Sequence, residues 1–159
     1  MAVILLFTAC AAQKKTASTT GIDYLQMRRS ACFGRCPVYK IEIYKDGLVR
    51  YTGERYMADT GIYEKRIAAA EAQRLLNLFT AKGVDTLKKE YQMTIADLPG
   101  IHYSFRYNGK TKDVRNAEFG PFYLREMANE IDKLVRKSPN DLPEVDNSWK
   151  QISEGPKGD

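Results

Sequence analysis

Two runs of strict alternation, each interrupted by a turn dipeptide, most constrain what this chain can fold into. From Pro37 to Tyr44, Tyr39, Ile41 and Ile43 fall on one side and Lys40 and Glu42 on the other. Asp46-Gly47 follows, and Leu48 to Tyr56 returns with Val49 and Tyr51 in phase. Further along, Ile101, Tyr103, Phe105 and Tyr107 alternate with His102, Ser104 and Arg106; Asn108-Gly109 follows, and Lys112 to Arg115 returns. A period of two sends successive side chains to opposite faces, and both dipeptides tolerate positive φ at the central turn positions. The expectation is two antiparallel hairpins, each with one apolar and one wet face.

Tyr24 to Arg29 and Gly61 to Ile67 read as further strands. Between the hairpins the period changes. Ala72, Leu75, Leu76 and Phe79 form a helical stripe that Gly83 is placed to stop. Leu124, Met127, Ala128, Ile131, Leu134 and Val135 form a second stripe, with Pro121 suited to the first turn and Ser138-Pro139 ending it. The predicted class is α+β: a mostly antiparallel sheet of about six strands with two helices on one face, in two hairpin-then-helix units. The domain spans 22–138. The tail, 139–159, is polar and expected to be mostly irregular, with Trp149 able to dock back and Glu154 to Asp159 disordered.

Met1 to Phe7 is apolar, Thr8 and Ala9 are small, and Cys10 follows. This resembles the lipobox of bacterial lipoproteins, in which 1–9 is a signal peptide and Cys10 is lipidated, palmitate being a usual acyl chain. The run is far shorter than the ~20 residues that span a bilayer. It departs from the pattern in two ways: no Lys or Arg precedes Lys14, and Phe7 stands where Leu is usual. The alternative is an apolar N-terminal strand with a free thiol. Residues 10–21, rich in Ala, Lys, Ser and Thr, read as a tether. The expected location is the cell envelope, at the periplasmic face of the outer membrane.

Lys and Arg number 25 against 20 acids, a net charge of +5. The excess is scattered rather than gathered on one element, which argues against nucleic acid as partner. The expected partners are the membrane, through the lipid anchor, and an unknown envelope protein or ligand.

Cys32-Phe33-Gly34-Arg35-Cys36-Pro37-Val38-Tyr39 is the most distinctive stretch. In an oxidising compartment Cys32 and Cys36 are expected to pair. Two other readings stay open. A redox-active pair could use Arg35 to favour a thiolate, although the spacing is not that of thioredoxin-like motifs. A metal site would want four ligands from a chain with these thiols and a single His. The loop residues Phe33, Gly34 and Arg35 are a candidate interaction site.

His102 lies across its strand from the apolar residues, facing solvent or a neighbouring strand. A catalytic His would need a nucleophile and an orienting acid nearby, and the chain carries no nucleophile-elbow motif and no metal-binding His pair. Asp97, before Leu98-Pro99-Gly100, reads as a turn residue. No phosphate-binding glycine loop occurs, so no cofactor, metal or catalytic residue is assigned. Tyr39, Tyr51, Tyr103 and Tyr107 could be packed across strands, or could form an aromatic face for a partner.

The motif from Cys32 to Tyr39, with Asp46-Gly47, Tyr51, Gly53 and Asp97-Leu98-Pro99-Gly100, resembles a domain-of-unknown-function family of bacterial lipoproteins (DUF6438-like). The likeness runs from about Arg29 to Val135. It implies an exported domain with a linked Cys pair, and offers no catalytic residue to carry over. The function expected is a non-enzymatic binding module. The alternatives are a redox-active protein or an enzyme inhibitor acting through the Cys32–Cys36 loop.

Overall fold

Alternation becomes a seven-stranded sheet in the computed structural model, which describes residues 21–91, 99–115, 117–136 and 141–154. The strands are β1 (Ile22–Arg29), β2 (Val38–Tyr44), β3 (Leu48–Arg55), β4 (Gly61–Arg66), β5 (Ile101–Tyr107), β6 (Lys110–Val114) and β7 (Lys150–Ser153). Their order is β6-β5-β1-β2-β3-β4-β7, and each neighbouring pair is antiparallel. Helices α1 (Ala69–Thr80) and α2 (Phe122–Asp132) cover one face. The α+β class and the one-sided helix layer are as expected from the sequence.

Register explains the core. Leu25 lies opposite Ile43 and Phe105, and Met27 opposite Ile41 and Tyr103; Ile43 and Ile41 in turn face Val49 and Tyr51. These side chains are buried and meet Ala72, Leu75, Leu76 and Phe79 of α1 and Leu124, Met127, Ala128 and Ile131 of α2. Phe79 packs against both Tyr103 and Phe105, with ring centroids 5.1 and 5.0 Å away. Full burial of such a side chain contributes about 1.5–3 kcal/mol. Pro121 is the N-cap of α2, one residue before the first turn where the sequence suggested it. The apolar stripe outlasts the helix, since Leu134 and Val135 lie in the turn after Asp132.

The opposite face is wet and ion-paired. Arg28 holds Glu54, Lys40 meets Glu42 at 3.1 Å, Arg50 holds Glu64 at 2.6 Å, and Arg106 holds Asp23 at 2.6 Å. Glu42 is buried at this face; the more open pairs, Arg28–Glu54, Arg50–Glu64 and Arg106–Asp23, contribute at most ~1 kcal/mol each. They leave these arginines occupied.

The two hairpins differ in their turns. Asn108 and Gly109 both have positive φ, 49° and 74°, the mirror-image two-residue turn that matches strand twist. At Asp46-Gly47 only Gly47 does, at 90°, and its N–H bonds Tyr44 C=O at 3.0 Å. This is a three-residue loop ending in a glycine bulge, so the hairpin stands but its turn type departs from the expectation.

The tail adds a seventh strand to the expected six: Lys150–Ser153 pairs with β4, after a stretch, 141–149, without helix or strand. Trp149 docks as anticipated. Its ring sits 6.1 Å from Tyr51, and the Lys65 ammonium lies 4.3 Å from it while donating to Leu134 C=O at 2.9 Å. Burial holds the Lys65 pKa below its ordinary value. The segment 1–9 expected to be a signal peptide, Cys10 and the expected tether up to residue 20, the Asp97-Leu98 half of the turn, Ser138-Pro139 and the last five residues lie outside the described residues.

Candidate functional site

The chain enters the sheet at Gly21, held to the β5–β6 turn by its N–H to Asn108 Oδ1 at 2.9 Å. It leaves β1 at Arg29, at the far end of an eight-residue strand. The span is roughly 25 Å at the usual ~3.3 Å per residue. The Cys32–Cys36 loop therefore projects from the end opposite the chain's entry.

The base of this loop is clamped. Arg29 ends β1 and Tyr39 lies near the start of β2, facing each other across the ladder. Both reach Asp132, at the end of α2. Arg29 donates from Nε (3.1 Å) and Nη2 (2.6 Å) to Oδ2, and Tyr39 donates from its hydroxyl to Oδ1 at 2.6 Å. Arg136 donates to the Tyr39 hydroxyl at 2.8 Å. Asp132 is buried and satisfied at both oxygens. Burial first, and then the Asp132 charge, raise the Tyr39 pKa well above the phenol range. Burial works to lower the Arg29 pKa, but Asp132 and Tyr39, by charge and hydrogen bonding together, outweigh it and hold it above its ordinary value. Such a group keeps its protons, so its work is to fix strand ends rather than to move charge. Ser30 adds a second tie: it accepts the Gly100 N–H at Oγ (2.8 Å) and donates its own N–H to Gly100 C=O at 2.9 Å.

Above the clamp Cys32 and Cys36 form a disulfide. Inside the ring, the Gly34 N–H bonds Cys32 C=O at 2.9 Å, a tight turn centred on Phe33. Phe33 is 89% exposed at its apex. The Arg35 guanidinium lies 5.7 Å from the ring of Tyr56, in the β3–β4 loop. Tyr56 has φ +55°, rare for a bulky residue. Cys32→Ser should lower stability by about 2 kcal/mol, the chain-entropy value for so short a ring, with secondary structure intact. Urea unfolding under oxidising conditions measures it. A parent-like midpoint would mean that the bond contributes nothing.

The aromatic face suggested for Tyr39, Tyr51, Tyr103 and Tyr107 points inward, and this corrects the interaction reading. Tyr39, Tyr51 and Tyr103 are buried under the helices and Trp149, and Tyr107 is half-buried against the same core. Their hydroxyls are used internally: Tyr51 donates to Asp59 C=O at 3.2 Å and Tyr103 to Leu124 C=O at 2.6 Å. Cross-strand packing, the other reading, describes them.

His102 lies opposite Arg28 on the wet face, half-buried. Burial, with Arg115 and Arg28 near, outweighs Glu118 and holds its pKa below 6.5. The unfolded chain then takes up a proton that the folded chain refuses. Stability should therefore fall as pH drops through about 6.5, and His102→Gln should flatten that slope. Urea midpoints at three pH values above the carboxylate range check this; an equal slope in both proteins would refute it.

The sequence reading missed Asp132, Arg29, Tyr56 and Arg136. Asp132 had a signal, because it falls eight residues after Leu124 and four after Ala128 on an otherwise apolar stripe. The positive φ of Tyr56 had none.

A family model described as a domain of unknown function, DUF6438, matches residues 23–135, most of the chain. The chain belongs to this family. No curated protein and no solved structure matches it. The match takes in the clamp, the disulfide ring and both hairpins of the DUF6438 domain and stops before Trp149 and β7.

Proposed function

We propose that this DUF6438 chain is a lipid-anchored protein of the cell envelope, at the periplasmic face of the outer membrane, whose domain binds a protein partner through the Cys32–Cys36 loop. Cys10 is the anchor and 10–21 the tether. The domain performs no chemistry of its own. The single observation behind this reading is the loop tip: an aromatic side chain 89% exposed on a ring that is disulfide-closed and clamped at its base. An exposed large aromatic on a rigid support costs solubility and loses little entropy on binding, the economy expected of a recognition element.

The test places a benzophenone amino acid at Phe33 of the full chain in living cells. A crosslink to one protein, missing when the same residue replaces exposed Lys110 at the opposite end, is the expected result. Equal labelling from both positions would refute it. Cys10→Ser should leave the chain uncut and unlipidated; normal processing with parent-like membrane retention would overturn the anchor.

A redox role for the same loop is the second reading, favoured by the half-exposed positions of Cys32 and Cys36 beside Arg35. Titration against glutathione separates the two: a potential below about −300 mV marks a structural bond.

A further inference from the structure

Arginine pairing is uneven across the molecule. Arg28, Arg29, Arg50, Arg66, Arg74 and Arg106 each hold a carboxylate. Arg35 and Arg55, both exposed at the loop end, make no ion pair among the described residues. Acids are present nearby but engaged: Glu54 is held by Arg28, and Asp59 accepts the Val145 N–H at 2.9 Å. Arg55 faces Val38 at the start of β2 and precedes Tyr56, on whose ring Arg35 rests. The tip thus combines one projecting aromatic with two unpaired guanidinium groups.

We infer that the partner surface is an apolar pocket rimmed by carboxylates: Phe33 enters the pocket, and Arg35 and Arg55 bind the rim. This rests on the reading of the loop as a binding site and adds the chemistry of what it binds. The planar, five-donor guanidinium matches a carboxylate bidentately. A membrane is the other anionic surface within reach, but a fluid headgroup layer asks for no particular side-chain geometry. Here the geometry is fixed by the disulfide, by the Cys32–Gly34 turn hydrogen bond, and by a left-handed residue carrying the ring under Arg35. A single, rigidly presented aromatic gains affinity against a shaped cavity, because its ordering cost is met before binding.

The experiment reads crosslinking from a benzophenone amino acid at the exposed Ala31, in the full chain in cells, with Phe33 and both arginines in place. R35E/R55E should cut the crosslink at least tenfold, with the melting curve unchanged. Asp or Glu residues on the crosslinked partner surface, reversed to Lys, should restore it. Undiminished crosslinking by R35E/R55E overturns the carboxylate rim and leaves the loop as a binding site. No crosslink from either Ala31 or Phe33 overturns both readings. Purified domain that sediments with phosphatidylglycerol vesicles, and stops doing so as F33S, assigns the tip to a membrane and overturns the pocket.

Discussion

Asp132→Ala should lower the stability of the domain by about 3–5 kcal/mol, among the largest losses available to one substitution outside the apolar core. The change removes the acceptor of two Arg29 bonds and of the Tyr39 hydroxyl together. It leaves a guanidinium largely out of water without a counter-charge, which costs more than the pair contributed. Arg29 is slightly more open than Asp132, so the lower end of the range is expected. A double variant isolates the cause. Arg29→Met with Asp132→Leu removes both charges and should recover much of the loss. Urea denaturation of the single and double variants decides it; a loss below 1 kcal/mol for Asp132→Ala would show that the clamp is not supporting the fold.

Gly53→Ala should lower stability by about 3 kcal/mol, because the added methyl has no room. A Cβ there would stand 2.1 Å from Asp59 C=O and 2.8 Å from the Tyr51 hydroxyl. The backbone of the β3–β4 loop would have to move away. That loop anchors more than itself, since Tyr51 bonds Asp59 C=O and the Asp59 carboxylate takes the Val145 N–H of the tail. The variant should therefore also loosen Trp149, whose fluorescence should shift to the red in the native state. A native spectrum and midpoint like the parent's would refute the steric account. The pairing of Tyr51 and Gly53 in the motif acquires a physical meaning here: the glycine makes the gap into which the tyrosine hydroxyl reaches.

Legibility followed the range of the interactions. Period-two alternation and an Asn-Gly turn are local properties, so β2, β3 and β5 and the second hairpin could be read directly. The Asp46-Gly47 hairpin was legible but its turn was not. A local preference cannot say whether one or both residues adopt positive φ, and here Ile67 C=O stands 2.4 Å from where a Cβ on Gly47 would be. β7 was hidden because Lys-Gln-Ile-Ser carries no core-facing pattern; backbone pairing to β4 and the docking of Trp149 recruit it. The tyrosines were ambiguous for a similar reason. Their rings fit a sheet face in either orientation, and the acceptor that fixes Tyr39 lies 93 residues away. The site followed the same rule: the ring of Cys32 and Cys36 was visible as a motif, while its clamp required the end of α2.

The course of β1 has a mechanical consequence. The chain enters at Gly21 and the ring begins just past Arg29, so the two ends of one strand are also the two ends of the load path. If the proposed anchor at Cys10 and the proposed partner at the ring both hold, tension between them runs along the eight residues of β1. Neither the ladders to β2 and β5 nor the helices lie in series with it. Under that arrangement a pull on the ring would be borne first by the covalent backbone of this one strand.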